Sequence, residues 1–261
     1  MRTTRFGLAA VTLLALLVPA APAGAAPTIP EPAATTRTSA ATVAPATVVY
    51  APRVPGVHRW LLPVRVRQVI VVSATTWRTT YGTVSLYSRT TTGWRRVGSW
   101  PARLGYGGLV VAATRKQDTG TTPAGVFPIT QAFGRYPNPG AKLPYTHVNS
   151  DHWWVEDRRS RFYNQMRLGS LGGFALRTSG YNSSEHLSAM GTQYDYAAVI
   201  DFNRPKPVIG RGAGIFLHVF GRGATGGCVS VSLGHMAAVM RWLDPKASPR
   251  IVIGQSTWLA G

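Results

Sequence analysis

The residues of this chain whose types and spacing can do chemistry lie in one segment, 214–231, which reads GIFLHVFGRGATGGCVSV and ends around Cys228, the only cysteine in the sequence. In a strand the side chains alternate, so Phe216, His218 and Phe220 share one face while Ile215, Leu217 and Val219 share the other. Gly221, Gly223, Gly226 and Gly227 then permit backbone angles and close approaches that a Cβ resists. Cys228 opens a second short β-run, so a strand, a glycine loop and a returning strand bring His218 and Cys228 side by side. A free thiol with a pKa of about 8.5 is a weak nucleophile at neutral pH, and a neighbouring imidazole can lower that value to about 3.5–7.5. Acyl transfer also requires donors for the developing oxyanion, and the N–H groups of Gly227 and Cys228 are candidates; losing one such donor costs about 2.7–4 kcal/mol of barrier. The same residues admit a plainer reading, in which His218 is a satisfied core residue, the glycines form an ordinary turn and Cys228 is buried and inert.

Positioning that segment requires a β-rich scaffold. Short β-branched runs separated by glycine and polar turns predict strands over 68–73, 82–87, 94–97, 109–112, 125–130, 153–157, 197–202, 214–219 and 250–253, with a hairpin turn at Thr92-Gly93. One helix stands out near the C-terminus. Ser232 can cap it, and Leu233, Met236, Ala237, Met240 and Leu243 recur on one face before Asp244-Pro245 ends it. A second, weaker helical signal runs from Ser184 to Met190. Many strands and few helices predict a mainly β domain, a packed sandwich or barrel.

The remainder of the chain bears on where it works. Arg2 and Arg5 precede an apolar run from Phe6 to Val18 and the small residues Ala23-Gly24-Ala25, the pattern of a secretory signal peptide over 1–25. An Ala/Pro/Thr-rich spacer over 26–56 follows, and 57–261 remain for one catalytic domain. We therefore expect an exported protein, extracellular or associated with the cell wall. One cysteine excludes an intramolecular disulfide, so the fold must rest on its core. Twenty-eight basic residues against nine acidic ones give a net charge of +19. Export points away from nucleic acid to an anionic wall polymer or membrane surface, while the scattered arginines, with no dense basic run, fit a plainer reading equally well, solubility with a compositional bias toward Arg.

The segment IFLHVFGRGATGGCVSV resembles the signature of the YkuD-type L,D-transpeptidases, in which a strand histidine precedes a Ser/Thr-His-Gly-Cys stretch. The similarity extends through TGTTPAGVFPITQAFG and AAVIDFN and spans Gln68 to Gly254. It implies a YkuD-like β-rich fold and a peptidoglycan L,D-transpeptidase that acts through a thioester on tetrapeptide stems and needs no cofactor. On that pattern Cys228 is the nucleophile, His218 the base toward the thiol and the acid toward the leaving amine, and the Val219 carbonyl orients the imidazole. Gly227 contributes to the oxyanion site, while Thr225, Gly226, Ser230 and His186 fall where substrate contacts are expected. His186 has a competing reading as a surface residue on the weak helix. Two positions depart from the pattern: Gly226 replaces the usual histidine, and Ser230 the usual Arg or Asn. The loop is also shorter than usual, and these features resemble a secreted actinobacterial branch with a Gly-Cys-Val-Ser core.

Three alternatives stay open at this level. An L,D-carboxypeptidase differs only in using water as acceptor, and a basic wall-binding module would leave Cys228 without a chemical role. A sortase-like ligase shares the order His before Cys, but its downstream strand arginine is not found. His147, Asp151 and His152 cluster without a recognised ligand spacing, so no metal is expected, and we expect a monomer.

Overall fold

A computed structural model describes residues 52–261; the expected signal peptide lies outside the described residues, as does the expected spacer up to residue 51. The packed chain already includes Val54, which is buried with Val57, inside the span assigned to the spacer. The strands are β1 (Gln68–Ala74), β2 (Tyr81–Thr90), β3 (Gly93–Arg103), β4 (Leu109–Val111), β5 (Thr122–Gly134), β6 (Tyr145–His147), β7 (His152–Trp154), β8 (Met166–Leu168), β9 (Glu185–His186), β10 (Ala197–Ile200), β11 (Phe216–Val219), β12 (Val229–Val231) and β13 (Arg250–Gln255). Two α-helices, α1 (Leu233–Trp242) and α2 (Ser256–Ala260), and several 3-10 turns complete a mainly β architecture.

The large sheet runs β10-β11-β12-β3-β2-β1-β13-β5 and closes when β5 pairs back onto β10. Strand β5 makes closure possible by its length: its first residues pair with β4, its middle with β13, and its last turn outward to β10 and β6. Closing a sheet removes the unpaired edges that invite aggregation. Within the ring the β-branched and aliphatic residues of alternate positions, among them Ile70, Leu86, Ile129, Leu217 and Val229, bury one face together with Met236 and Met240 of α1. Helix α1 begins where Ser232 Oγ accepts the His235 N–H at 3.3 Å; Met236, Met240 and Leu243 of the expected stripe are buried together with Val239, while Leu233, in the first turn, is exposed. The opposite face of β1 and β13 is covered by Val54, Val57, Leu62 and Leu259.

A three-stranded sheet, β8-β7-β9, forms a lobe over the outer face of β10 and β11. It docks through Trp154, which meets Phe216 edge to face at 4.8 Å and donates to Asn164 Oδ1 at 3.0 Å. Asn164 in turn donates to the Phe202 carbonyl at 3.0 Å.

Several expected elements differ in extent. The hairpin turn falls at Thr91-Thr92, and Gly93 follows as the first residue of β3 with φ +133°. The strand expected over 153–157 spans only His152–Trp154, because the Val155 N–H donates to Gln165 where the chain bends around Asn164 at φ +62°. No α-helix forms over 184–190. Ser184 Oγ accepts the Glu156 N–H instead of capping, Glu185 and His186 pair with Trp154 and Trp153, and a single 3-10 turn follows.

Candidate active site

Strands β11 and β12 run parallel, with Leu217 opposite Val229 and His218 opposite Ser230. The alternation sends Leu217 and Val219 into the barrel and leaves Phe216 and His218 on the face toward the lobe. Cys228, one residue before β12, packs on that same outer face beside Phe216. A cavity of about 340 Å³ opens there between barrel and lobe, and Cys228, His218, Arg115, Glu156, Glu185 and Tyr194 all line it.

The glycine loop is held by threonines. Thr225 Oγ1 donates to the Cys228 carbonyl at 2.7 Å and accepts the Gly227 N–H at 3.1 Å, while Thr122 Oγ1 donates to the same carbonyl at 3.3 Å. Gly227 stands at φ +135°, and a Cβ there would lie 2.7 Å from an Arg115 Nη and 2.8 Å from the Thr121 carbonyl. Only glycine fits that position. Gly226 differs: it is exposed, lines the cavity, and a Cβ on it would meet nothing within 4 Å. Because Thr225 engages the Gly227 N–H, that amide is not the free oxyanion donor expected from sequence. The Cys228 N–H is the member of the pair that Thr225 leaves unengaged.

The thiol is 6% exposed, and the imidazole 3%. Sγ donates to the Gly214 carbonyl and accepts the Phe216 N–H, both at 3.3 Å. His218 Nδ1 stands 2.7 Å from the Val219 carbonyl, and Tyr194 meets the imidazole edge to face at 5.4 Å. Among the described residues no hydrogen bond joins Sγ to the imidazole, although both residues line the same cavity. Burial holds the His218 pKa down to about 4, against the opposing pull of the Val219 and Gln193 carbonyls, so the ring is neutral at pH 7. Burial also pushes the Cys228 thiol far up, helped by Glu185 and Glu156 and opposed by Arg115.

Two expected contacts are not made. Ser230 is fully buried with an unpartnered Oγ and does not line the cavity; its strand lies between β11 and β3, where it pairs with His218 and Arg103. His186 points away from the cavity: its Nε2 meets the Ser150 carbonyl at 2.7 Å and its ring stacks on Trp153 at 4.5 Å. Along β9 the alternation gives the cavity to Glu185 instead. His147 and His152 are spent locally, on the Arg135 carbonyl and the Asn149 side chain.

The cavity also holds charged residues that the sequence did not single out. Arg115, only 5% exposed, donates to the Thr121 and Arg211 carbonyls at 2.7 and 3.1 Å. Glu185 Oε2 accepts the Tyr194 hydroxyl at 2.5 Å, yet burial still raises its pKa to about 7. Glu156 is raised well above the usual carboxylate range by burial and by the neighbouring Glu185. In a chain with nine acidic residues, two inside short apolar strands or just beyond them were a signal to follow.

The structure is thus a closed β-ring with His218 on β11 and Cys228 just before the parallel strand β12, both lining one cavity, and comparison with known proteins identifies its family. The profile of the YkuD family, described as the L,D-transpeptidase catalytic domain, matches residues 67–253. The chain belongs to the YkuD family. No curated protein matches it. One solved structure, titled "Structure of Bdellovibrio bacteriovorus Bd1075", aligns at 13% identity and a TM-score of 0.38, over 81% of this chain and 53% of that one. This chain thus spans about half the length of that protein.

Proposed function

We propose that this protein is an exported peptidoglycan L,D-transpeptidase in which Cys228 Sγ attacks the carbonyl before the terminal D-Ala of a tetrapeptide stem. The thiol proton passes to His218 Nε2, whose other nitrogen is held by the Val219 carbonyl. The S–C bond forms, the C–N bond to D-Ala breaks, and the departing amine takes the proton from the imidazolium. The amine of a second stem then attacks the thioester and releases the thiol, with the proton returning through His218. Because Sγ rests on Gly214 and Phe216, a rotation about its Cα–Cβ bond precedes proton transfer. The Cys228 N–H, which Thr225 leaves unengaged, receives the charge on the attacked oxygen.

The observation that carries this reading is that the only cysteine in the chain and a neutral histidine open onto one cavity of a YkuD domain. A carbapenem incubated with the protein should leave one covalent adduct by intact mass, absent from Cys228→Ala. An unmodified wild type, or equal labelling of the variant, would sink the proposal.

A further inference from the structure

Round the closed ring β1 and β11 are separated by three strands in either direction, so the outer face of β1 looks away from Cys228 and His218. Residues 52–67 run across that face and turn Val54, Val57, Leu62 and Val66 inward onto Val69, Val71 and Val252. Arg89 pins the run by donating to the Val64 carbonyl, and Arg96, paired with Tyr87 of the same cluster, stands beside it. The charge here has one sign. From Pro52 to Gln117 the sequence contains no aspartate or glutamate, while Arg53, Arg59, Arg65, Arg67 and Arg96 are exposed and, among the described residues, form no ion pair. Two aliphatic side chains stand out among the arginines, Leu61 at 48% exposure and Val64 at 40%. Next to them the half-buried rings of Trp60 and Trp258 meet edge to face at 5.1 Å, with the Arg59 guanidinium 4.5 Å over Trp258.

A dissolved polyanion would engage the arginines and leave Leu61 and Val64 in water. A bilayer with acidic headgroups uses both, the guanidinium groups on phosphate and the aliphatic and indole side chains in the interfacial layer. The described chain also begins on this face, where the Pro52 carbonyl accepts the Trp94 indole N–H at 2.7 Å, and the apolar run from Phe6 to Val18 lies upstream of it. We propose that residues 58–67, together with Arg96, form a docking surface for an anionic lipid bilayer. Docked through it, the protein turns the Cys228 cavity away from the membrane.

The test is cosedimentation of the chain without its expected leader, residues 26–261, which keeps every described element, with vesicles of phosphatidylcholine alone or mixed equally with phosphatidylglycerol. The wild type should bind the mixed vesicles and bind the neutral ones far more weakly. Replacing Arg59→Gln and Arg65→Gln together should weaken binding to the mixed vesicles about 25-fold, at about fivefold for each arginine lost from the surface. Leu61→Ala with Val64→Ala, which leaves the charge unchanged, should weaken it at least about fivefold. Arg161→Gln with Arg177→Gln removes two equally exposed cations from the small-sheet lobe and should change nothing. Full binding by the Leu61/Val64 variant identifies a surface for dissolved polyanions and overturns the lipid assignment. Absent binding by the wild type, or an equal loss in the lobe variant, overturns the docking surface itself, since net charge alone would then govern attachment.

Discussion

Cys228 and His218 are both uncharged in the resting protein, which separates this site from cysteine enzymes that store a thiolate–imidazolium pair. With the thiol pKa raised by burial and by Glu185, the reactive anion appears only as pH climbs well into the alkaline range. Alkylation of Cys228 by iodoacetamide, followed by mass spectrometry, should therefore accelerate steadily with pH above 7 and show no flat region between pH 5 and 8. A flat profile there would mean a preformed ion pair. Two adjacent glycines give a second residue-level contrast. Gly227→Ala places a Cβ against Arg115 and the Thr121 carbonyl at φ +135°, so the backbone strain alone should cost about 1–3 kcal/mol and displace the nucleophile. Gly226→Ala enters open space and should change stability by no more than about 0.5 kcal/mol, as thermal melts would register.

At the scale of elements, what the sequence revealed and what it hid divide by distance along the chain. The strand of His218, the glycine loop, the short run after Cys228 and the capped helix α1 are local features, and alternation, glycine content and helical spacing expose them directly. The other walls of the cavity come from far away. Arg115 follows β4, Glu156 follows β7 and Glu185 lies in the two-residue β9, and no local period links them. Strands of two or three residues carry too few alternations to show a face, which is why β6 and β8 were not foreseen and the β9 region read as a weak helix. The engagement of the Gly227 amide is hidden for a related reason: Thr225 binds it with the hydroxyl that closes the turn, while still lining the cavity.

For the whole molecule, the closed ring supplies stability without any cross-link, as a chain with one cysteine requires. The net charge of +19 acts on a longer scale than the cavity. If the protein works among wall polymers, sedimentation with purified anionic cell walls should be strong at low ionic strength and fall steeply as salt approaches about 1 M, where the Debye length shrinks to about 3 Å. The Cys228→Ala variant should sediment equally well. Retention that ignores salt would argue that the arginines serve some end other than polyanion attachment.

The attacking sulfur and its imidazole belong to the barrel, but Glu156 and Glu185 arrive on the small sheet clamped over it by Trp154. The two acidic walls of the cavity are thus encoded in a stretch of chain, between β6 and β10, that is separate from the one carrying the sulfur and its imidazole. A lineage could vary that stretch and reshape one side of the cavity without touching the other.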